Sequence, residues 1–210
     1  MTYSAVIFDL DGVICSTDEY HYRAWKVLAD RLGIPFDRER NNLLRGVSRM
    51  ESLEIILEKS EKRYTQAEKE SLAAEKNELY RQLLGNMTPA DLPEDVKRTL
   101  DALRAEGIPM AIGSSSKNTP YILERIGLGH FFDAVADGNM ITRSKPDPEV
   151  FLKAAELLRR APEECLVVED ARAGVEAARR GGFACAAIGD AKGDPRAQYH
   201  LEKLSDLLNL

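Results

Sequence analysis

Five short apolar runs, each ending in a polar cluster, constrain the fold of this chain more than any other feature. They are Ser4–Phe8 (SAVIF), Pro109–Gly113 (PMAIG), Ala134–Ala136 (AVA), Cys165–Val168 (CLVV) and Phe183–Ile188 (FACAAI). Apolar runs of this length, bounded by turn-forming residues, read as buried strands. Between them lie helical patterns at Asp95–Glu106, Thr119–Ile126, Pro148–Arg159 and Ala171–Arg180, several introduced by Pro or followed by Gly, as helix ends prefer. Strand and helix alternating at this spacing predict an α/β fold: a doubly wound, Rossmann-like parallel sheet covered by helices.

Residues 17–85 break the rhythm. Tyr22, Trp25, Leu28, Ala29 and Leu32 recur at helical spacing, and Ser48-Arg-Met-Glu51 and Thr65-Gln-Ala-Glu68 both fit capping boxes. The expected division is a catalytic core from 1–16 and 86–210 with an inserted helical cap domain over 17–85. Because the insert follows the first strand's polar turn, it belongs above the carboxyl ends of the strands, where open α/β sheets bind ligands. The amphipathic run His200–Leu208 predicts a last helix packed on the core.

A length of 210 residues suits one core plus a small module. The formal net charge of −6 argues against nucleic-acid and anionic-membrane partners, so an anionic substrate must be met by local positive charge. Cys15, Cys165 and Cys185 are odd in number and lack metal-ligand spacing, which predicts reduced thiols. The opening MTYSAVIFDLDGV has no basic start, and Asp9 and Asp11 interrupt its apolar run. Neither a signal peptide nor a membrane anchor is expected there, and a cytoplasmic monomer follows as the expectation.

The chemistry sits at the strand ends. Asp9 and Asp11 stand two apart, a spacing that aims both carboxylates to one side. One can attack phosphorus while the other, its pKa raised by its neighbour or by burial, moves a proton. Gly12 permits the turn that follows. Gly113-Ser-Ser-Ser-Lys-Asn118 offers hydroxyls, backbone N–H groups and a helix start as a phosphate cradle. Lys145, stiffened by Pro146 and Pro148, can offset charge on the nucleophile and the transferring phosphoryl group. Glu169 and Asp170 follow a wholly apolar strand, where two carboxylates call for a cation. Asp9, Asp170 and the main-chain carbonyl of Asp11 supply oxygen ligands suited to Mg²⁺, with Glu169 ligating directly or holding a metal-bound water.

Acid pair, hydroxyl cradle, lysine and acid pair in that order resemble the haloacid-dehalogenase superfamily over essentially the whole chain. In detail the chain resembles the β-phosphoglucomutase family through Phe8-Asp-Leu-Asp-Gly-Val13, Glu19-Tyr-His-Tyr-Arg-Ala-Trp25, Arg45-Gly-Val-Ser-Arg49, Ser52, Lys76-Asn77, Ser116-Lys-Asn118 and Ser144-Lys-Pro146. That resemblance implies interconversion of β-D-glucose 1-phosphate and D-glucose 6-phosphate through an aspartyl-phosphate and a bound glucose 1,6-bisphosphate, with Mg²⁺ as cofactor.

By the same resemblance Asp9 is the nucleophile and Asp11 the acid/base, and Lys145, Ser114 and His21 complete the catalytic set, His21 coupling cap closure to Asp11. Arg49 grips the phosphate that is not transferred, helped by Lys117 and Asn118 from the core. Arg45, Gly46 and Val47 line the sugar pocket with Ser52 and Lys76, and Ser115 and Ser116 complete the cradle. Two departures stand out: Ala171 replaces a hydroxyl residue common after the acidic pair, and Ser115 widens the hydroxyl run. The alternative is a Mg²⁺-dependent sugar-phosphate phosphatase of the same superfamily, which keeps Asp9, Asp11 and Lys145 but needs no grip on a second phosphate. A non-catalytic sugar-phosphate binder is the third reading.

Overall fold

The computed structural model describes residues 2–210. Its centre is a six-stranded parallel sheet: β1 (Ala5–Phe8), β2 (Met110–Gly113), β3 (Ala134–Ala136), β4 (Cys165–Glu169), β5 (Ala184–Ala187) and β6 (Tyr199–His200), in the order β3-β2-β1-β4-β5-β6. Every neighbouring pair is parallel. The chain winds outward from β1 through β2 to β3 and then crosses to β4 on the other flank. The strand order therefore reverses between β1 and β4, the place where such sheets open a ligand crevice.

Alternation along β1 assigns its side chains to two layers. Val6 and Phe8 pack with Ile112, Leu166 and Val168 against α5 (Glu94–Ala105) and α6 (Thr119–Arg125). Ala5 and Ile7 pack on the other face against α7 (Glu149–Leu158) and α8 (Arg172–Arg180). Burial on both faces explains why these strands read as continuous apolar runs.

The insert folds as α1 (Asp18–Arg31), α2 (Arg38–Asn42), α3 (Arg49–Leu57) and α4 (Gln66–Leu84). Both expected capping boxes form, at Ser48/Glu51 and at Thr65/Glu68. These helices enclose their own core, in which Trp25, Leu28, Leu53 and Ile56 are buried. Truncating a buried tryptophan such as Trp25 costs about 3–5 kcal/mol. Tyr80 and Leu84, on the last turns of α4, leave that cluster and join the core of the sheet domain, anchoring the cap to it.

The chain end departs from expectation. His200–Leu208 is not one helix: Tyr199 and His200 form an edge strand beside β5, and Leu204–Asn209 winds as a 3₁₀ helix. Leu204 and Leu207 are the buried residues of that segment and lie three apart, which matches the three-residue turn of a 3₁₀ helix. No helix among the described residues is long and apolar enough to cross a membrane.

Candidate active site

The register of the three central strands builds the site. Phe8 pairs with Ile112 on one side and with Val168 on the other. Asp9 consequently leaves β1 level with Gly113 of β2 and Glu169 of β4. Asp9 is 7% exposed, and Lys145 and Glu169 are each 1% exposed. Lys145 Nζ donates to Asp9 Oδ1 at 2.5 Å and to Glu169 Oε2 at 2.8 Å, and it lies 4.6 Å from the centre of the Phe151 ring. Burial opposes its charge, but the two carboxylates win and hold the ammonium above its ordinary pKa. A lysine so paired stays cationic throughout the neutral range.

Carboxylate oxygens of Asp9, Glu169 and Asp170 lie within 4.8 Å of one another. Three carboxylates against one ammonium leave an excess of two negative charges at a site poor in water. Burial, Glu169 and Asp9 together push the Asp170 carboxyl up to about 9, and burial and Asp9 bring Glu169 to about 7. A divalent cation that prefers oxygen ligands corrects this imbalance, so the donor set fits Mg²⁺. The Asp11 carboxylate stands outside that group of three, in keeping with a main-chain rather than a side-chain contribution from this residue.

Two glycines let the cluster form. Gly12 has φ +89°, and a Cβ there would fall 2.0 Å from Asp170 Oδ2. A Cβ on Gly174, in the first turn of α8, would fall 2.0 Å from Cδ of Glu169. Glu169 is further fixed by the Ala171 N–H, which donates to Oε1 at 3.0 Å.

Asp11 accepts a hydrogen bond from the Thr17 hydroxyl. Burial and the charge of Asp9 push its carboxyl up to about 6, while Thr17, Lys145 and Lys76 pull the other way. A carboxyl tuned to that region can give or take a proton near neutral pH.

The cap supplies a second pole, built from nitrogen groups. His21 on α1 and Lys76 on α4 meet at 2.9 Å between Nδ1 and Nζ, and the imidazole stacks on Tyr80 with ring centres 4.0 Å apart. Lys76 is 2% exposed and lies 4.6 Å and 4.3 Å from the centres of the Trp25 and Tyr80 rings. Burial and the charge of Arg49 hold its ammonium well below the usual lysine range; burial and Lys76 likewise depress His21. Arg49 is the first residue of α3, and Ser52 is buried one turn behind it. Three nitrogen bases thus gather without a carboxylate in salt-bridge range among the described residues.

The other expected residues fall as follows. Ser114 is buried, and its hydroxyl accepts the Ser116 N–H at 3.1 Å; the Ser116 hydroxyl accepts the Asn118 N–H at 3.2 Å. The Ser115 hydroxyl is buried without a partner among the described residues. The helix that follows has only seven residues, so hydroxyls and loop N–H groups, more than a helix dipole, form this cradle. Asn118 donates to Asn77 at 2.9 Å and accepts from Arg81 at 3.1 Å, both on α4. Lys117 is exposed. Gly46 seats the cap loop over α8, its Cβ position 3.5 Å from Ala173 and 3.6 Å from Ala171, with Val47 next in sequence. Arg45 is engaged by Asp18 at 3.2 Å and by Asp190. Thr17, Tyr80, Arg81 and Asp190 contact Asp11, His21, Asn118 and Arg45, and the sequence reading did not place them in the site. Only Thr17 carried a signal, as a hydroxyl residue at the start of the insert.

The family model of haloacid dehalogenase-like hydrolases matches residues 3–182. The chain is 43% identical to the β-phosphoglucomutase of Bacillus subtilis over 97% of its own length and 91% of that protein's. It is 32% identical to a phosphorylated carbohydrates phosphatase of Thermotoga maritima, over 85% of this chain and 82% of that one. Among solved structures, the β-phosphoglucomutase of Clostridium difficile superposes with a TM-score of 0.91 at 36% identity, covering 98% of this chain and 93% of that chain.

Proposed function

The chain belongs to the haloacid dehalogenase-like hydrolase family and, within it, to the β-phosphoglucomutases; from that premise we propose that it interconverts β-D-glucose 1-phosphate and D-glucose 6-phosphate, with Asp9 carrying the phosphoryl group between the two positions. One observation supports this reading over a phosphatase most strongly. The cleft has two poles: Asp9, Lys145 and the acidic cluster below, and Arg49, Lys76 and His21 above, with no carboxylate among the described residues in salt-bridge range of them. A phosphatase needs the first pole alone. A mutase that handles a bisphosphate needs both.

Asp9, Asp170 and the Asp11 carbonyl would hold Mg²⁺, with Glu169 ligating directly or holding a metal-bound water, and the ion when bound would neutralise charge between the nucleophile and the phosphoryl group. The protein's own residues do the rest. Lys145 keeps Asp9 ionised and aimed, and Ser114, Ser115 and Ser116 with their N–H groups receive the phosphoryl oxygens. A trace of glucose 1,6-bisphosphate first phosphorylates Asp9. In the first half the 6-hydroxyl of β-glucose 1-phosphate gives its proton to Asp11 and attacks the phosphorus of phospho-Asp9, whose acyl-phosphate bond breaks, leaving glucose 1,6-bisphosphate and a free Asp9 carboxylate. In the second half, with the bisphosphate turned round, Asp9 attacks the phosphorus at C1, the bond from phosphorus to the C1 oxygen breaks, Asp11 protonates that oxygen, and glucose 6-phosphate leaves with Asp9 phosphorylated again.

Meanwhile Arg49, with Lys76, Ser52, Lys117 and Asn118, holds the phosphate that stays, and Arg45, Gly46 and Val47 border the sugar. Refusing water a thousandfold relative to a sugar hydroxyl requires about 4 kcal/mol between the two barriers. Cap closure, sensed by His21 beside Lys76, supplies it by readying Asp11 only when sugar is bound. Three buried free cysteines suit a reducing compartment, and we place the enzyme in the cytoplasm as a monomer.

The test follows both phosphorus positions by ³¹P NMR during incubation with β-glucose 1-phosphate, Mg²⁺ and a trace of glucose 1,6-bisphosphate. Glucose 6-phosphate is the expected product. Inorganic phosphate in its place sinks the mutase reading and leaves the phosphatase.

A further inference from the structure

We propose that Glu51 and Ser144 are positioning residues that tie the closed cap to the catalytic lysine's segment and thereby set how tightly a substrate's second phosphate is held. The inference rests on the two-pole reading above. Glu51 Oε2 accepts two hydrogen bonds at once, from the Ser48 N–H at 2.8 Å and from the Ser144 hydroxyl at 2.5 Å. The first closes the capping box that starts α3, whose first residue is Arg49. The second reaches into the core, to the residue that precedes Lys145. One carboxylate thus joins the helix start that presents Arg49 to the segment that presents Lys145, and Lys145 holds Asp9 and Glu169.

The opposite end of the same loop is tied as well. Arg45 bonds Asp190, and the next residue, Ala191, donates its N–H to the Asp170 carbonyl at 2.8 Å. The segment 45–51 is therefore clamped at both ends to the loops bearing Lys145 and Asp170. These clamps act beside the packing of Tyr80 and Leu84 into the sheet domain's core in fixing the distance between the two poles.

When the cap lifts, Glu51 keeps its capping role and loses only Ser144, so the tie breaks without unwinding α3. A single hydroxyl-to-carboxylate bond is weak enough to release every turnover, yet it shifts an equilibrium by about tenfold.

The experiment compares β-glucose 1-phosphate, which needs both poles, with acetyl phosphate, which needs only the lower one. Ser144→Ala is expected to raise the KM for β-glucose 1-phosphate by about tenfold, leaving kcat/KM for acetyl phosphate hydrolysis and the melting temperature unchanged. Ser144→Thr, which keeps the hydroxyl, is expected to restore the KM. Glu51→Gln, which keeps a capping acceptor, is expected to raise it by a smaller factor. Equal losses on both substrates would show that Ser144 merely supports Lys145, and no change on either would show that the tie carries nothing; each overturns the proposal. The product made by the wild-type enzyme judges the mutase reading separately: inorganic phosphate in place of glucose 6-phosphate overturns that reading, whereas glucose 6-phosphate formed without the KM contrast overturns only the proposed tie.

Discussion

Lys76 Nζ lies 2.9 Å from His21 Nδ1, and among the described residues no carboxylate stands within salt-bridge distance of that ammonium. The groups facing it are His21 from α1, Arg49 from α3, Tyr80 from its own helix and, farther off, Asp11 from the loop after β1. Asp11 and the ring faces of Trp25 and Tyr80 favour its charge, and burial and Arg49 outweigh them. The arrangement is poised for an anion and is costly without one.

Stability should record that cost. The folded pKa of Lys76 lies well below its value of about 10.4 in an unfolded chain. Between those two values the unfolded state binds a proton that the folded state does not, so this residue's contribution to stability rises with pH across that window. His21, depressed from 6.5, acts in the same direction at lower pH. Lys76→Met is expected to stabilise the ligand-free protein by about 1–3 kcal/mol at neutral pH, and the gain should shrink as pH approaches 10. Urea titrations of both proteins from pH 6 to 10 check this; a gain independent of pH contradicts the account.

Arg49 bears on which reaction is run. Losing one charge-assisted grip on a phosphate costs roughly 2–3 kcal/mol, or about 30–150-fold in kcat/KM. Arg49→Ala is therefore expected to lower mutase turnover by that factor and to leave phosphate release from acetyl phosphate near the wild-type rate. Coupled glucose 6-phosphate and phosphate assays separate the two. A mild effect on mutase flux would favour the phosphatase.

The sheet and its chemistry were legible for one physical reason: a parallel strand buried on both faces must be apolar throughout, so the first charged residue after it marks its end. Asp9 obeys that rule, whereas Glu169 is itself the last residue of β4, kept there by Lys145. β6 was invisible because two residues make no pattern, and the last helix was misjudged because Leu204 and Leu207 suit a three-residue period as well as a longer one. The cap-to-core ties lay beyond reach for another reason. Glu51 and Ser144 are 93 residues apart and Arg45 and Asp190 are 145 apart, and polar surface residues carry no local sign of such a partner. Asn118 was expected to face phosphate; in the structure it bonds Asn77 and Arg81 across the same boundary.

Gly174 tests the packing behind the acidic cluster. An alanine Cβ there would fall 2.0 Å from Glu169 Cδ, and Glu169 cannot yield without losing Lys145 or the Ala171 N–H. Gly174→Ala is expected to destabilise the fold by about 1–3 kcal/mol through overpacking and to raise the Mg²⁺ concentration needed for half-maximal activity. Thermal melts and Mg²⁺ titrations read the two effects. An unchanged Mg²⁺ requirement in a folded variant would remove Glu169 from the metal site.

Asp170 decides whether the excess negative charge is there for a cation. With Asp9, Glu169 and Asp170 sharing a space 4.8 Å across and Lys145 opposing them, the metal-free protein must hold a proton on Asp170 that the unfolded chain releases, a cost that Asp170→Asn removes. The variant should melt at or above the wild-type temperature in chelator. A cation bound only by the folded state stabilises it by about 2.7 kcal/mol at a hundred times its dissociation constant, so wild-type protein should melt higher on adding Mg²⁺, and the variant should respond far less. Activity should vanish with chelator and return with Mg²⁺ in the wild type alone. If Asp170→Asn instead lowers the metal-free melting temperature, the carboxylate serves the fold and the charge argument for the metal fails.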